Sequence, residues 1–415
     1  MRLILLAPIV TAVIAVATVA AADSAVDPRV VAVDEVQFLE QLGRVDPRFE
    51  RLAADIETAR AEVVAAGIRA EPQIAIDREE VFSNGGLATN YARLTVPVDV
   101  SGRRGRRVAA ARNAADAVIA AGERARVEIV IESMRVFEES AYARRYVEAL
   151  RAERDALVRL VEVVRKRAGA GASSGYDLQR FELELTVYDD LITSAETRLL
   201  EARTQLAALV GRPDELVDAA TPFDLPGPPP PLATLTPAVL DGRGDYRAAR
   251  LRRESAAQLV RAADRAWIPT LGLSAGAMSQ DVGTETALGY TVGVSFSLPV
   301  FDRGRAAKGR ARGEGRAAAA DARLIETRIA AVLRAKHATV VRRIAQAEQL
   351  ATTQLARLDS LLRAAETAYR EGASGVVELL DAYQTARDTR LRDLELRRDA
   401  RLAALDLWLV LGRRP

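Results

Sequence analysis

The stretch Val292-Gly293-Val294-Ser295-Phe296-Ser297-Leu298-Pro299-Val300-Phe301-Asp302-Arg303-Gly304-Arg305 decides how this chain is read. Val292, Val294, Phe296 and Leu298 alternate with Gly293, Ser295 and Ser297, and a period of two predicts a strand with one apolar face. From Gly304-Arg305 onward no proline occurs until Pro415. The same design stands upstream. Leu94, Val96, Val98 and Val100 alternate with Thr95, Pro97 and Asp99, then comes Gly102-Arg103, and the next proline is Pro213. Pro97 to Pro213 and Pro299 to Pro415 are both 116 residues apart.

Other landmarks repeat in the same order. Helical text is broken by Gly169-Ala170-Gly171-Ala172-Ser173-Ser174-Gly175 in one interval and by Gly372-Ala373-Ser374-Gly375 in the other. Gly171 to Gly211 and Gly372 to Gly412 are each 40 residues. Asp46-Pro47-Arg48-Phe49 and Gly244-Asp245-Tyr246-Arg247 open Ala/Arg/Glu-rich helices that end at Glu71-Pro72 and Ile268-Pro269. Matches in order at fixed offsets establish an internal duplication. The expected organisation is a leader at 1–22, a first repeat at 23–220, a linker at 221–237 and a second repeat at 238–415. The linker carries Pro226-Gly227-Pro228-Pro229-Pro230-Pro231, a tract that is extended and stiff.

The helical text sets the architecture. Leu178, Phe181, Leu185, Tyr188, Ile192, Ala195, Leu199, Ala202, Leu206 and Leu209 step by threes and fours, a coiled-coil seam. A weaker seam is expected at Ile325, Ile329, Val332, Ala335, Ala338, Val341 and Ala345, and a cleaner one at Leu355, Leu358, Leu362, Ala365 and Tyr369. A helix from Gly102 to Gly169 is roughly 100 Å long at about 1.5 Å per residue. No single globule buries such a rod, so it needs its returning partner, the other repeat and other subunits. The glycine-serine breaks become hairpin tips, with Ser374 suited to an N-cap region and Glu378 an acid in the first turn.

Four strands are expected, at 72–82, 90–100, 269–280 and 289–300, each about the length that crosses a bilayer when tilted. Phe82, Tyr91, Trp267, Tyr290 and Phe301 are placed near strand ends, as an aromatic girdle. Four strands leave two unpaired edges, and twelve from three chains leave none. The alternative is a soluble pair of hairpins packed on the helices. Arg103, Arg104, Arg106 and Arg107, then Arg303, Arg305, Lys308, Arg310 and Arg312, follow the strands and are expected to snorkel at the membrane's inner face.

Composition narrows the function. Arg2 followed by the apolar run Leu3 to Ala22, ending in Ala20 and Ala22 before Asp23, has the layout of a cleaved secretory signal. No Cys follows, so a lipid anchor is not expected there. Cysteine is absent altogether, which excludes disulfides and thiolate sites, and the formal net charge of +2 gives no reason for a nucleic-acid partner. His337 is the only histidine and is expected on a helix surface; no nucleophile-base pair or phosphate loop is present, so neither enzyme, cofactor nor metal site is expected.

This layout resembles the outer-membrane efflux protein family, the TolC-like channels. The resemblance rests on the duplicated order, on the Leu298-Pro299-Val300-Phe301-Asp302-Arg303-Gly304 strand exit, and on the tip Gly372-Ala373-Ser374-Gly375-Val376-Val377-Glu378-Leu379-Leu380-Asp381-Ala382. The Asp46-Pro47-Arg48-Phe49 opening looks most like the heavy-metal branch. The resemblance implies a mainly α fold with a small β part: a long coiled-coil helical barrel and a twelve-stranded barrel in a homotrimer. It implies an outer-membrane channel of a Gram-negative bacterium, extending into the periplasm among outer-membrane lipid. Such a channel is a passive exit duct, joined by a periplasmic adaptor (membrane fusion) protein to an inner-membrane pump of the resistance-nodulation-division type. By position, Glu378, Asp381 and Asp177 match the acidic residues of the periplasmic entrance gate, and Gly171, Ala172, Ser173, Gly372, Ala373 and Ser374 match the tips that meet the adaptor. Metal ions, drugs and secreted polypeptides stay open as cargo, and a periplasmic coiled-coil adaptor is the alternative of another class.

Overall fold

In a computed structural model of the protein the described residues are 29–82, 87–169, 174–237, 239–282 and 285–413. The leader and the tip residues Gly171, Ala172 and Ser173 lie outside them. In chain order come β1 (Val30–Val33), α1 (Glu35–Val45), α2 (Pro47–Gly67), β2 (Gln73–Val81), β3 (Leu87–Val98), α3 (Arg103–Gly169) and α4 (Gly175–Leu209). Then follow β4 (Leu216–Ala219), α5 (Leu232–Leu235), α6 (Gly244–Ala263), β5 (Leu271–Val282), β6 (Glu285–Phe296), α7 (Arg305–Leu350), α8 (Ala356–Arg370) and α9 (Val376–Leu411). A π turn, Ala351–Leu355, joins α7 to α8 without a break. Helix, two strands, long helix and returning helix thus occur twice.

The helices form four columns side by side. α3 is the longest at 67 residues. The end of α4 abuts the start of the α2 column, where a Cβ on Gly211 would run into Val45. The end of α9 abuts α6, with Arg243 donating to the Val410 carbonyl at 3.0 Å. Near the strands the order is α2, α3, α6, α7; at the far end it is α4, α3, α9, α7–α8. α4, α8 and α9 reverse or stop by the same device. Gly211, Gly372 and Gly412 all have φ near +70°, and the following amide bonds back to the carbonyl five residues earlier. Only glycine adopts that left-handed turn without strain.

The first seam lies where its period places it: Phe181, Tyr188, Ala195, Leu199 and Leu206 are buried, with Leu178, Leu185, Ile192 and Leu209 packed beside them. The second is corrected. Ile329, Leu333, Val340, Ile344 and Ala347 are buried on α7, whereas Val332 and Val341 are exposed. From Ile329 the true step is four, and counting three instead moves every later position off the buried stripe. Leu358 and Tyr369 are buried as expected, with Leu362 and Ala365 against them.

Between the columns run buried ion pairs that tie the two repeats together. Arg401 of α9 holds Glu138 of α3 through two hydrogen bonds, of 2.5 and 2.8 Å. Arg390 pairs with Glu153, and Arg387 with Glu184 at 2.9 Å. At mid-length β1 and β4 pair in parallel, Val30 opposite Leu216, over a core of Phe38, Leu42, Phe137 and Leu206. The linker is not a bare spacer. Phe223 is buried in that core, and His337, half-buried, contacts the Pro230 carbonyl at 3.0 Å.

Candidate channel-forming site

The strands form one antiparallel sheet in the order β2, β3, β5, β6. Residues directly opposite share a face. One row runs Ile74, Leu94, Ala275, Val292; the next rows are Ile76, Ala92, Ala277, Tyr290 and Val96, Leu273, Val294. Every residue in these rows is apolar, and Ile74, Ile76, Tyr290 and Val292 are all at least three-quarters exposed. The opposite face is largely polar or lacks side chains: Gln73, Thr95, Ser274 and Gly293 in one row, Arg93, Gly276 and Thr291 in another.

On that second face a Cβ at Gly272 would come within 3.2 Å of Thr95, one at Gly293 within 2.8 Å of the Ser274 hydroxyl, and one at Gly276 would clash with the Ala92 carbonyl. At these glycine positions the face has no room for a further side chain. Apolar outside and polar inside is the pattern of a membrane barrel wall. No helix among the described residues is long and apolar enough to cross a membrane.

The strands are displaced from the expected spans. β3 begins at Leu87 and ends at Val98, and β6 ends at Phe296, so Leu298 to Val300 belong to the exit. The expected girdle is corrected in part. Phe82, Trp267 and Phe301 are exposed near strand ends. Tyr91 and Tyr290 sit mid-strand, and Tyr91 is on the polar face beneath Arg93. The expected snorkelling is corrected for four of the nine cations. Arg103 bonds Ser101 and Thr270, Arg104 caps the Gly67 carbonyl, Arg106 reaches Gln258 and Lys308 pairs with Asp264. Hydroxyl, carbonyl, amide and carboxylate acceptors of the protein take up these four cations.

At the far end the two tips differ. In the first, Ser174 accepts from the Asp177 amide at 3.2 Å, and the Asp177 carboxylate accepts from the Ser174 amide at 3.2 Å. Asp177 is thus half of a reciprocal helix cap. In the second, the residue before α9 is Gly375, which offers no side-chain cap, and the Ser374 hydroxyl is buried without a partner, contrary to the expected role in capping. Glu378 and Asp381 are both exposed on α9. Gly372, Ala373 and Ser374 form the turn itself, their amides bonding to the Tyr369 and Ala368 carbonyls. Behind the tips Arg167 of α3 lies over the Tyr369 ring at 5.2 Å and donates to the Arg370 carbonyl at 2.7 Å. Burial, then the bond to Glu366, pushes the Tyr383 phenol well above its ordinary range. Among the described residues no group of three or more His, Asp or Glu could hold a metal ion.

The outer membrane efflux protein family model matches residues 235–413. The chain is 24% identical over 366 residues to the cobalt-zinc-cadmium resistance protein CzcC of Cupriavidus metallidurans, spanning 87% of this chain and 85% of that protein. It is 27% identical over 303 residues to the nickel-cobalt-cadmium resistance protein NccC of Alcaligenes xylosoxydans, 71% and 67% of the two chains. Among solved structures, the outer membrane protein VceC of Vibrio cholerae superposes with a TM-score of 0.73 at 20% identity, covering 91% of this chain and 95% of that one. The chain therefore has the fold of the TolC-like outer-membrane channels, mostly helical with a small β part. The family is one of transport proteins and not of enzymes.

Proposed function

We propose that three copies of this chain form the outer-membrane exit duct of a tripartite efflux system, with heavy-metal cations as cargo. The observation that carries the reading is the sheet: apolar on one face, glycine-lined on the other, and unpaired along β2 and β6. Twelve strands from three chains leave no edge unpaired. The helical columns end in the same way, at α2–α4 on one side and α7–α8 on the other, so one rotation closes both layers. The duct is passive, the pump is of the resistance-nodulation-division type, and a periplasmic adaptor meets the tips at Gly171, Ala172, Ser173, Gly372, Ala373 and Ser374. The metal cargo is supported by the cobalt, zinc, cadmium and nickel resistance proteins that the chain resembles over most of its length.

Glu378 and Asp381 form the entrance gate. They are three residues apart on α9, so they share a face. Three chains gather six carboxylates, whose field attracts cations and hinders anions. Asp177, engaged in its cap, contributes less. Planar-bilayer recording tests this. Glu378→Ala with Asp381→Ala is expected to lower the cation-to-anion permeability ratio, with single-channel conductance still in the range of an open duct. An unchanged ratio removes the gate assignment, and absence of any conductance from the unaltered protein removes the channel.

A further inference from the structure

One side of the seam between α6 and α7 is an open groove of about 610 Å³. Its floor is made of small residues, and a Cβ on Gly315 would come within 3.3 Å of the Ala256 Cβ, so the two backbones lie close. Its walls carry Arg250 and Arg253 on α6 and Arg312, Arg316 and Arg323 on α7. All five are exposed, and none makes an ion pair or a side-chain hydrogen bond among the described residues. The lining holds one acid, Glu326, at the end away from the sheet, and the Tyr246 hydroxyl donates to it at 2.6 Å. Like charges gathered along one groove repel, so the groove favours an anion.

The register across the groove sorts these cations into pairs. Tyr246 meets Glu326, Ala256 meets Gly315 and Asp264 meets Lys308, so the helices run antiparallel and each residue up α6 is one residue down α7. In that register Arg253 stands within three residues of Arg316, and Arg250 within two of Arg323. At about 1.5 Å per residue each pair is offset by less than about 5 Å, and the two pairs are about 7–8 Å apart along the groove. Arg323 and Arg316 stand 14 and 21 residues before His337, two and three heptads, so all three share a side of α7. His337 touches the linker at Pro230, and the linker's Phe223 is buried with Val33 and Phe38. Three copies enclose an open duct only with that layer outside, so the groove opens on the outer wall, between the linker and the sheet. That placement, and nothing else here, rests on the ring proposed above.

The geometry points to a binding site for a soluble linear oligophosphate, one end held between Arg253 and Arg316 and the other between Arg250 and Arg323. A terminal phosphate carries about −1.5 to −2 charge at pH 7 and three acceptor oxygens, so it satisfies two guanidinium forks at once. A carboxylate neutralises only one, and four would have to crowd into the same two turns. Lipid headgroups are the wrong source. Arg316 and Arg323 are eleven and eighteen residues into α7, roughly 16 and 27 Å from the strand exit, and only Arg312, about 10 Å in, is near the bilayer.

Titration calorimetry of the full-length protein in detergent tests the site, with tripolyphosphate as probe at about 0.15 M salt, where distant charges are largely screened. Binding is expected, with inorganic phosphate at least about tenfold weaker because it reaches one arginine pair only. Arg250→Gln with Arg253→Gln, Arg316→Gln and Arg323→Gln is expected to weaken tripolyphosphate at least about tenfold, with helical circular dichroism unchanged. Arg252→Gln with Arg261→Gln, Arg305→Gln and Arg328→Gln removes the same charge from exposed positions outside the groove, and is expected to change binding less than about twofold. Equal loss in the two variants, equal affinity for phosphate and tripolyphosphate, or no binding by the unaltered protein would overturn the inference. So would cardiolipin retained in native mass spectra and lost in the groove variant while tripolyphosphate stays unbound, which assigns the groove to lipid. The conductance of the unaltered protein tests the channel separately and is untouched by any of these results.

Discussion

Arg401→Met probes what fastens the second repeat to the first. The guanidinium makes two hydrogen bonds to Glu138 and one, of 3.1 Å, to the Asp224 carbonyl of the linker, and it lies 5.6 Å from the Phe223 ring. Its side chain is 15% exposed and that of Glu138 is 5% exposed, so water cannot replace what is lost. Methionine keeps the packing against Phe223 but leaves Glu138 buried without its cation. Breaking such a pair from one side costs about 3–5 kcal/mol, whereas replacing both partners by apolar groups is often close to neutral. The expected result is therefore non-additive: Arg401→Met loses about 3–5 kcal/mol, and Glu138→Leu with Arg401→Met recovers at least about 2 kcal/mol of it. Denaturant midpoints of the protein in detergent, followed by helical circular dichroism, measure both variants and close the cycle. A double variant as unstable as the single would show that the loss comes from packing and not from the stranded carboxylate.

Asp46 caps α2 and holds Arg48, and that side-chain bond, helped by the Arg48 amide and opposed by burial, keeps its carboxyl below the usual range. The stabilisation it lends is present above the ordinary carboxylate pKa and is lost as pH falls through the depressed one; Asp46→Ala is expected to cost about 1–2 kcal/mol at pH 7 and less at pH 3, checked by melting at both pH values. Gly244→Val would drive a side chain into the Ala120 carbonyl where α6 crosses α3, and is expected to destabilise by at least about 1–3 kcal/mol in the same denaturant assay. Gly211→Ala combines a left-handed backbone with a clash against Val45 and is expected to lower the melting temperature, whereas Gly105→Ala, with open space around it, is not.

The fold was legible because its periods are long. Two intervals without proline, bounded by alternating strands and glycine turns, leave few alternatives to paired long helices, and the glycines at 211, 372 and 412 mark the actual helix ends. What resisted reading was lateral. Period counting on α7 went astray after Ile329 because alanine suits either side of a helix and gives no sense of direction. The cations after the strands look like membrane anchors in one dimension, yet Arg103 and Arg106 of the first repeat reach Thr270 and Gln258 of the second. Glu138, Glu153 and Glu184 look like ordinary surface acids among helical charges, and only the packing of α9 buries them. The glycines at 272, 276, 289 and 293 are plain in the sequence, but their meaning depends on register, which places all four on one face. For the gate, the sequence placed Asp177 and Glu378 as counterparts, and the geometry sets them apart.

That difference can be put to use. Asp177 is drawn into a cap because Ser174 stands three residues before it; Glu378 is not, because Gly375 stands there instead. Gly375 has φ −86° and ψ 177°, an extended backbone that serine adopts freely, and a Cβ added to it would meet only the flexible end of Glu378, at 2.9 Å. Gly375→Ser therefore builds, with Glu378 three residues on, the same reciprocal cap that the first tip already has. Two consequences oppose each other. The start of α9 gains about 0.5–2 kcal/mol, seen as slower hydrogen exchange of the amides at 376–379. The Glu378 carboxylate turns back to the backbone amide at position 375 and leaves the entrance, so the cation-to-anion permeability ratio is expected to fall part of the way toward that of Glu378→Ala. A tip that becomes more protected while its selectivity stays fixed would mean that Glu378 never faced the pore, and the gate would then rest on Asp381 alone.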